Sequence, residues 1–274
     1  MLFRGLTKEQ ILIIDCFTFL NEYDIIEGRF EYLYDVVDYF VVIEMDTTFN
    51  GVAKPFNFAA NLSRYRKYAD KILYFPCSPD ISNVNFDVNI DKCDYNTPQW
   101  QLENFQRNYI LQALKLFAPS DFVMISDADE IPNKFGLELA THHLSHDIAI
   151  AFEQQTFYYN FEHVHRMDWP GTVITTVANA RQYTPQRFRD TRWGLPKINN
   201  GGWHLSYWST IENIKFKIHN APHQEFNKDK FTDIDAIAAR VRQGKDLFDR
   251  NIQLTRVSPT SIVQREFYEI FKKY

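Results

Sequence analysis

The sequence predicts an α/β fold, with a mostly parallel central sheet flanked by helices in a single domain. Its first half alternates between short apolar runs of strand length and segments with helical spacing of apolar residues. This alternation is typical of parallel strands joined by right-handed helical crossovers. The length of 274 residues fits one domain. Because 45% of the residues are hydrophobic and Gly and Pro are sparse, little disorder is expected.

Four apolar runs in the first half are predicted strands, at residues 12–17, 39–43, 72–75 and 122–125. Helical spacing predicts helices at 25–37 and 57–68. Pro98 opens a longer helix, because proline suits the first helical turn. Residues 78–97 form an irregular polar insertion before that helix, and another helix is predicted from about 134 to 144.

The second half of the sequence has a different pattern. Strands are predicted at 148–152, 156–161 and 172–177, with a short connection between the first two. A loop-rich basic segment is expected at 181–197, followed by helices at 210–218 and 233–242. No internal repeat and no linker interrupts the chain, so one domain is predicted over residues 1–274.

Charge, cysteine content and hydropathy exclude several classes of protein. The formal net charge of −5 argues against a general nucleic-acid binder, which would need a basic surface. The three cysteines form no CxxC pair, which suggests a reducing compartment. No apolar run approaches the roughly 18 residues of a membrane span, and residues 1–10 lack a signal-peptide core. We therefore expect a soluble, cytoplasmic protein without a membrane span.

Three carboxylates follow the predicted strand at 122–125: Asp127, Asp129 and Glu130. In open α/β sheets, ligands bind beyond the carboxyl ends of the strands. Two aspartates separated by one residue can present hard oxygens to Mg²⁺ or Mn²⁺, and a substrate phosphate can complete the coordination. The alternative is a solvated acidic turn in which Asp129 or Asn133 caps the next helix.

Other polar residues also fall at predicted strand ends. Asn21 and Glu22 follow the first strand, Glu44 ends the second, and Glu153 with Gln154 follows a strand of the second half. Their convergence would make a binding site at this edge of the sheet. The alternative is that strand ends precede loops, which are polar in any case.

The familiar nucleotide motifs are absent, since the sequence has neither GxGxxG nor GxxxxGK[ST]. An aspartate pair after a strand could also belong to an aspartyl phosphotransferase or phosphatase. The residues that follow, Glu130-Ile131-Pro132, fit that chemistry poorly because a small turn-forming residue is usual there.

Positive charge is concentrated downstream, at Arg181, Arg187, Arg189, Arg192 and Lys197. Guanidinium groups match phosphate oxygens, so this cluster favours diphosphate binding over a solvated loop that balances surface acids.

Histidines provide further candidates. His204 lies between Trp203 and Leu205 and is either a core residue or a ligand. His219, His223 and Glu225 form a short polar run, and one of them could act as a metal ligand or a base.

Several segments, in order along residues 11–226, together resemble glycosyltransferase family 17. They are Asn21-Glu22-Tyr23-Asp24, Arg29-Phe30, the run 36–44, Thr48-Phe49-Asn50-Gly51, Trp100, Glu103, Gln106-Arg107-Asn108, the run 127–132 and the run 202–207.

The resemblance implies a GT-A-type fold and an inverting transfer of a sugar, GlcNAc, from the nucleotide sugar UDP-GlcNAc to a glycan acceptor. It also implies a divalent cation, Mn²⁺ or Mg²⁺. Residues 1–145 would form the nucleotide-sugar-binding half and 146–274 the acceptor-side half.

Site roles are expected as follows. The metal ligands are Asp127, Asp129 and His204. The donor is bound by Asn21, Glu22, Glu44, Arg107, Asp127, Arg189 and Arg192. Trp203 and Tyr207 stack on sugar, and the general base is one of Glu225, Glu153 and Glu130. The alternatives to this enzyme are a catalytically silent carbohydrate-binding protein on the same scaffold and an aspartyl phosphotransferase or phosphatase.

Overall fold

The computed structural model describes residues 11–88, 90–144 and 149–274. Its strands are β1 Ile13–Phe19, β2 Tyr39–Met45, β3 Ile72–Cys77, β4 Phe122–Asp127, β5 Glu130–Pro132, β6 Ile150–Tyr158, β7 His163–Thr176, β8 Lys197–Ser206 and β9 Thr255–Arg256. Its α-helices are α1 Tyr23–Leu33, α2 Asn57–Ala60, α3 Pro98–Asn108, α4 Ile110–Leu114, α5 Lys134–His143, α6 Val177–Tyr183, α7 Pro185–Thr191, α8 Ile211–Asn220, α9 Asp229–Thr232, α10 Ile234–Gln243, α11 Pro259–Ile262 and α12 Arg265–Phe271. Short 3₁₀ helices lie at Leu62–Tyr68, Arg192–Gly194 and Gln224–Phe226.

The strands form one sheet in the order β3-β2-β1-β4-β7-β6-β8-β5, with β9 beside β7. The first four neighbours, β3 to β4, are parallel, as predicted from the alternation of the first half. In the second half β7 is antiparallel to both β4 and β6, while β6 is parallel to β8. The predicted α/β fold is confirmed, with a sheet that is parallel in its first half and mixed in its second.

Both faces of the parallel strands are covered, which explains why these runs are apolar without alternation. On β1, Phe17 and Phe19 belong to a core cluster that also contains residues of α1 and α12. Ile14 and Cys16 of the same strand belong to a second cluster, which contains residues of α3, α4 and α6. The carboxyl ends of β1, β2, β3 and β4 therefore meet at one edge of a sheet held between two helical layers.

Several predicted elements were wrong in their extent. The strands predicted at 148–152 and 156–161 are one strand, β6, although residues 145–148 lie outside the described residues. Its polar centre remains in the sheet because the Gln154 amide donates to the Thr172 hydroxyl at 3.1 Å. The strand predicted at 172–177 begins earlier, at His163. The helix opened by Pro98 is divided at Tyr109 into α3 and α4.

The basic segment 181–197 is more regular than predicted, because it contains the end of α6, all of α7 and a 3₁₀ turn. Helices α6 and α7 begin after threonines that cap them: Thr176 Oγ1 accepts from Asn179 N and Thr184 Oγ1 accepts from Arg187 N. These caps hold the arginines of the segment on helices rather than on a free loop.

The two predicted halves share one continuous sheet, since β4 of the first half pairs with β7 of the second. The boundary predicted near residue 145 lies outside the described residues. In the part of the chain that is described, no helix has both the length and the apolar character needed to cross a membrane.

Candidate functional site

The turn after β4 carries Asp127, Asp129 and Glu130 and is the acidic turn of this site. It is held in place by Arg29 of α1, whose side chain is fully buried. Its guanidinium forms two hydrogen bonds to Asp15, at 2.7 and 2.6 Å. Its Nη1 also donates to the main-chain oxygens of Asp127, Ala128 and Glu130, at 3.2, 3.2 and 2.8 Å. The backbone of the acidic turn is therefore fixed by one buried cation, to which the sequence analysis assigned no role.

Asp127 lies at the end of β4 between two arginines. Arg107 Nη2 donates to Oδ1 at 2.9 Å, and Arg189 Nη2 donates to Oδ2. Burial raises the pKa of Asp127, but Arg189 and then Arg107 lower this pKa far below its usual range. The carboxylate is ionised throughout the neutral range. A carboxylate has about four acceptor sites, so it can still accept a further partner.

Arg107 is itself enclosed, with only 2% of its side chain exposed. Besides Asp127, its Nη2 donates to Glu103 at 2.8 Å, and its Nη1 donates to Gln186. Because both terminal nitrogens are engaged, the structure places Arg107 as a support of Asp127 rather than as a free donor-binding group.

Glu130 has no exposed side-chain surface. Its Oε2 accepts from Arg189 Nη1 at 2.6 Å and from the Asp127 amide at 3.1 Å. Its Oε1 accepts from Trp169 Nε1 at 2.7 Å. A carboxylate enclosed in this way is poorly placed to take a proton from a substrate hydroxyl, so its location does not fit the predicted role as a base.

Asp129 has different surroundings from Asp127. Its Oδ2 accepts from Lys217 Nζ of α8 at 2.9 Å, and its Oδ1 lies 3.7 Å from His204 Nε2 of β8. Burial raises the pKa of Asp129, but Lys217 and then His204 lower it below its usual value. Lys217 was not predicted, because nothing in the sequence marks one lysine of a surface helix.

The gap between Asp129 Oδ1 and His204 Nε2 suits a cation. At 3.7 Å the two atoms are too far apart for a hydrogen bond, yet near enough to contact one ion of the usual ligand distances. The imidazole is oriented by stacking on Trp169, with ring centroids 5.3 Å apart. A carboxylate oxygen with an imidazole nitrogen suits Mn²⁺ better than Mg²⁺, which prefers oxygen alone.

The three predicted metal ligands do not all converge, however. Among the described residues, one group of three His, Cys, Asp or Glu side chains has its ligand atoms within 4.8 Å of one another, and it is a different group. Asp129 and His204 are thus brought together, while Asp127, whose side chain is 31% exposed, is engaged with its two arginines.

Arg192 carries a cation without a carboxylate partner among the described ion pairs. It follows α7, and its guanidinium lies 5.1 Å from the centre of the Trp169 ring. Burial and the nearby Arg189 lower the pKa of Arg192 to about 10. A partly buried guanidinium beside another cation gains from an anion, which fits the predicted diphosphate contact.

Asn21, Glu22 and Tyr207 line one small cavity together with Lys217. Glu22 Oε2 accepts from the amides of Leu20 and Asn21, at 2.9 and 3.1 Å, and its Oε1 lies 3.9 Å from Lys217 Nζ. Because Lys217 also binds Asp129, this cavity adjoins the acidic turn.

Glu44 has another task. It is fully buried, and its carboxylate accepts from Lys54 Nζ at 2.8 Å, Phe58 N at 3.0 Å and the Tyr74 hydroxyl at 2.9 Å. The carboxylate anchors the start of α2, where the helix dipole favours negative charge. This saturated position does not fit the predicted contact with a donor.

Trp203 is in the core, not at the surface. Only 3% of it is exposed, and its ring stacks on Phe267 with centroids 3.8 Å apart. This location does not fit the predicted stacking on sugar. Trp193 is 44% exposed instead, and the Arg166 guanidinium lies 4.9 Å from the centre of its ring.

The two remaining candidate bases lie apart from the acidic turn. Glu225 is 8% exposed, and its Oε1 lies 2.7 Å from His223 Nδ1. Burial raises the pKa of Glu225, but the hydrogen bond with His223 gives a net lowering. Glu153 is half-buried on β6 opposite Pro170. No described contact joins either carboxylate to Asp127 or Asp129.

The sequence model of glycosyltransferase family 17 matches residues 4–252 of this chain. This chain belongs to glycosyltransferase family 17. Membership of family 17 confirms the resemblance predicted from the ordered segments, and with it the class of enzyme, a glycosyltransferase.

Curated relatives in family 17 include the β-1,4-mannosyl-glycoprotein 4-β-N-acetylglucosaminyltransferases of rat and human. The rat protein is 25% identical over 288 residues, which cover 87% of this chain and 50% of the relative. The human protein is 25% identical over 265 residues, covering 80% and 46%. The chain therefore spans about half the length of these curated relatives.

Among solved structures, 4-diphosphocytidyl-2C-methyl-D-erythritol synthase aligns with a TM-score of 0.40 and 11% identity, covering 70% of this chain and 89% of that one. The galactosyltransferase LgtC, in complex with donor and acceptor sugar analogs, aligns with a TM-score of 0.37 and 12% identity, covering 95% of each chain. At these values the description of the fold rests on this chain's own strand order.

Proposed function

We propose that this family 17 chain transfers GlcNAc from UDP-GlcNAc to a hydroxyl of a glycan acceptor, with inversion and with bound Mn²⁺ or Mg²⁺. The observation that carries the proposal is the acidic turn at the carboxyl ends of the parallel strands, held rigid by Arg29 and flanked by the unpaired Arg192. The names of the rat and human relatives support GlcNAc as the sugar.

The charges at the turn nearly balance. The cations Arg107, Arg189, Arg192 and Lys217 face the carboxylates Asp127, Asp129, Glu130, Glu103 and Glu22. A divalent cation and a diphosphate have roughly equal and opposite charges, so both together leave this balance unchanged. Either one alone would disturb it, which supports binding of metal and nucleotide sugar as a pair.

Asp129 and His204 would hold the cation, with Asp127 supporting the turn. The cation would neutralise the leaving diphosphate. Arg192 would lie along the same diphosphate and add positive charge where the leaving group develops negative charge. Trp193, exposed beside Arg166, offers a ring for the apolar face of the acceptor sugar.

Inversion needs a carboxylate that takes the proton from the acceptor hydroxyl as its oxygen attacks the anomeric carbon. Because the carboxylate of Glu130 is enclosed, Glu153 and Glu225 remain as candidates for this base. Glu153 is half-buried on β6, without a described hydrogen bond to its carboxylate. Glu225 is paired with His223.

The test is a panel of nucleotide sugars in thermal-shift and UDP-release assays, each with and without Mn²⁺. A true donor stabilises the protein, and more so when Mn²⁺ is present. Asp129→Asn is expected to reduce turnover by at least about 100-fold, the size seen when one group that stabilises transition-state charge is removed. Asp235→Asn, at an exposed position of α10, is the control and should leave turnover unchanged.

The possible outcomes separate the three functions. Stabilisation by a nucleotide sugar without UDP release would indicate a silent binding protein. Phosphate release from a monoester, with no response to any nucleotide sugar, would indicate a phosphatase. Unchanged turnover in a folded Asp129→Asn protein would contradict the assigned metal site.

A further inference from the structure

A second group of metal-binding side chains lies outside the acidic turn. Cys93, His223 and Glu225 have one ligand atom each within 4.8 Å of the others, and this is the one group of its kind among the described residues. Cys93 is an exposed free thiol in the polar insertion, while His223 and Glu225 belong to the turn after α8. The three residues come from two segments that are far apart in sequence.

Glu225 carries the second observation. Its side chain is 8% exposed, and its Oε1 is used by His223 Nδ1 at 2.7 Å. Its Oε2 is buried and has no hydrogen-bond partner among the described residues. A buried carboxylate oxygen without a partner is costly, and a bound cation would remove that cost.

The ligand types indicate which ion. A thiolate with an imidazole and a carboxylate suits Zn²⁺, which takes sulfur, nitrogen and oxygen ligands in a tetrahedron. The acidic turn offers a carboxylate oxygen and an imidazole nitrogen but no thiol, so the cluster differs from it by its sulfur ligand. We infer that Cys93, His223 and Glu225 bind Zn²⁺, with the fourth position taken by water.

The position of the cluster gives the ion a task. Cys93 lies just before α3, whose Arg107 holds Asp127. His223 lies just after α8, whose Lys217 holds Asp129. Trp100 of α3 already touches the His223 ring, with centroids 4.8 Å apart. A Zn²⁺ ion here would clamp the insertion and α3 to the end of α8, and so fix the two helices that support the acidic turn.

The inference also bears on the choice of base. A Glu225 carboxylate bound to Zn²⁺ is a weak proton acceptor, since the cation stabilises its charged form. Glu153 is then the remaining one of the three predicted bases for the proposed transfer. This last step rests on the proposed function, whereas binding of Zn²⁺ does not.

The test is titration of tag-free, reduced protein with Co²⁺ as a spectroscopic stand-in for Zn²⁺. One Co²⁺ per chain should bind with thiolate-to-cobalt charge-transfer absorption, and Zn²⁺ should displace it. Cys93→Ser should abolish this absorption and His223→Gln should weaken binding at least tenfold. His219→Gln, a nearby histidine outside the cluster, is the matched control and should bind as the wild type does. Asp129→Asn should also retain the site.

The clamp has its own readout. Zn²⁺ should raise the Tm of the wild type by at least roughly 2 °C and slow proteolysis within the insertion, residues 78–97, and should do neither in Cys93→Ser. Absence of charge-transfer absorption, or its persistence in Cys93→Ser, would overturn the site. Binding without any change in proteolysis would overturn the clamp. Because neither measurement needs a sugar donor, both outcomes are independent of the proposed transfer.

Discussion

Asp127 and Asp129 are two residues apart on one turn, yet their side chains have different partners. Asp127 is held by two buried arginines, Arg107 and Arg189, and Arg189 also binds Glu130. Asp129 faces one lysine and a histidine that lies just beyond hydrogen-bond distance. On the Asp127 side each carboxylate oxygen already accepts a hydrogen bond from an arginine. On the Asp129 side, Asp129 Oδ1 and His204 Nε2 make no hydrogen bond to each other and can share a ligand.

This difference between Asp127 and Asp129 separates the residues that support the site from the residues that can bind a ligand. Rigid positioning of a site needs supporting groups whose own hydrogen bonds are satisfied, and Arg189 and Glu130 are such groups. Binding needs groups that gain a partner when the ligand arrives, and His204 and Arg192 are of that kind. Variants on the first side should therefore act on stability, and variants on the second on binding.

The largest effect is expected at Arg29, which holds the backbone beneath both sides. Arg29→Met leaves Asp15 charged and unpaired in a fully buried site, so the free energy of unfolding should fall by about 3–5 kcal/mol. Urea unfolding measures this loss. If the single variant does not fold, the pair Asp15→Leu with Arg29→Met removes both charges and should recover much of the stability.

The double variant separates pairing from positioning. Three main-chain oxygens of the turn lose their donor even when no charge is left unpaired. Stabilisation by the nucleotide sugar and Mn²⁺ should therefore remain weak in a folded double variant. Full recovery of that stabilisation would show that Arg29 does nothing for the turn beyond neutralising Asp15.

The next effect distinguishes two neighbouring arginines. Arg189→Gln leaves Asp127 and the buried Glu130 without their main partner, so unfolding should become easier by about 3 kcal/mol or more. Arg192→Gln breaks no described ion pair, so its stability should change little. Its donor affinity should fall by roughly 10–100-fold, as expected for a lost charged hydrogen bond.

Urea unfolding and the KM for the donor, measured on both variants, check this pair. The distinction between a supporting Arg189 and a binding Arg192 is contradicted if Arg192→Gln destabilises the protein as much as Arg189→Gln does while the KM for the donor is unchanged. In that case Arg192 would belong to the supporting side, and the diphosphate would need another cation.

The sequence predicted the parallel half of the sheet because each strand there is an apolar run followed by a helix. It predicted β6 less well, since Glu153-Gln154-Gln155 looks like a connection although Gln154 is buried in the sheet. Burial of a polar run depends on partners in other strands, and spacing along the chain does not contain them.

The same limit applies to the site. Position at a strand end makes Asp127 and Asp129 candidates, because that signal is local. Arg29 and Lys217 reach the turn from 98 and 88 residues away, so only the fold brings them there. Trp203 is predicted to stack on sugar, but alternation along β8 turns its ring into the core.

The smallest effect is expected at Trp169, the residue that touches both sides of the turn. Its Nε1 donates to Glu130 at 2.7 Å, while its ring stacks on His204 and lies under Arg192. Trp169→Phe keeps a ring but leaves Glu130 Oε1 without its donor, so stability should fall by about 1–3 kcal/mol. The Mn²⁺-dependent stabilisation by the donor should persist, because the stacking surface remains.

Trp193→Phe is the matched control, since Trp193 is 44% exposed and its indole nitrogen makes no described hydrogen bond. Its stability should stay within about 0.5 kcal/mol of the wild type. If Trp169→Phe instead keeps full stability but loses the response to Mn²⁺, the indole acts through His204 and Arg192 alone. Trp169 would then belong with the residues that bind ligand rather than with those that support the turn. Glu130 would need no hydrogen-bond donor beyond Arg189.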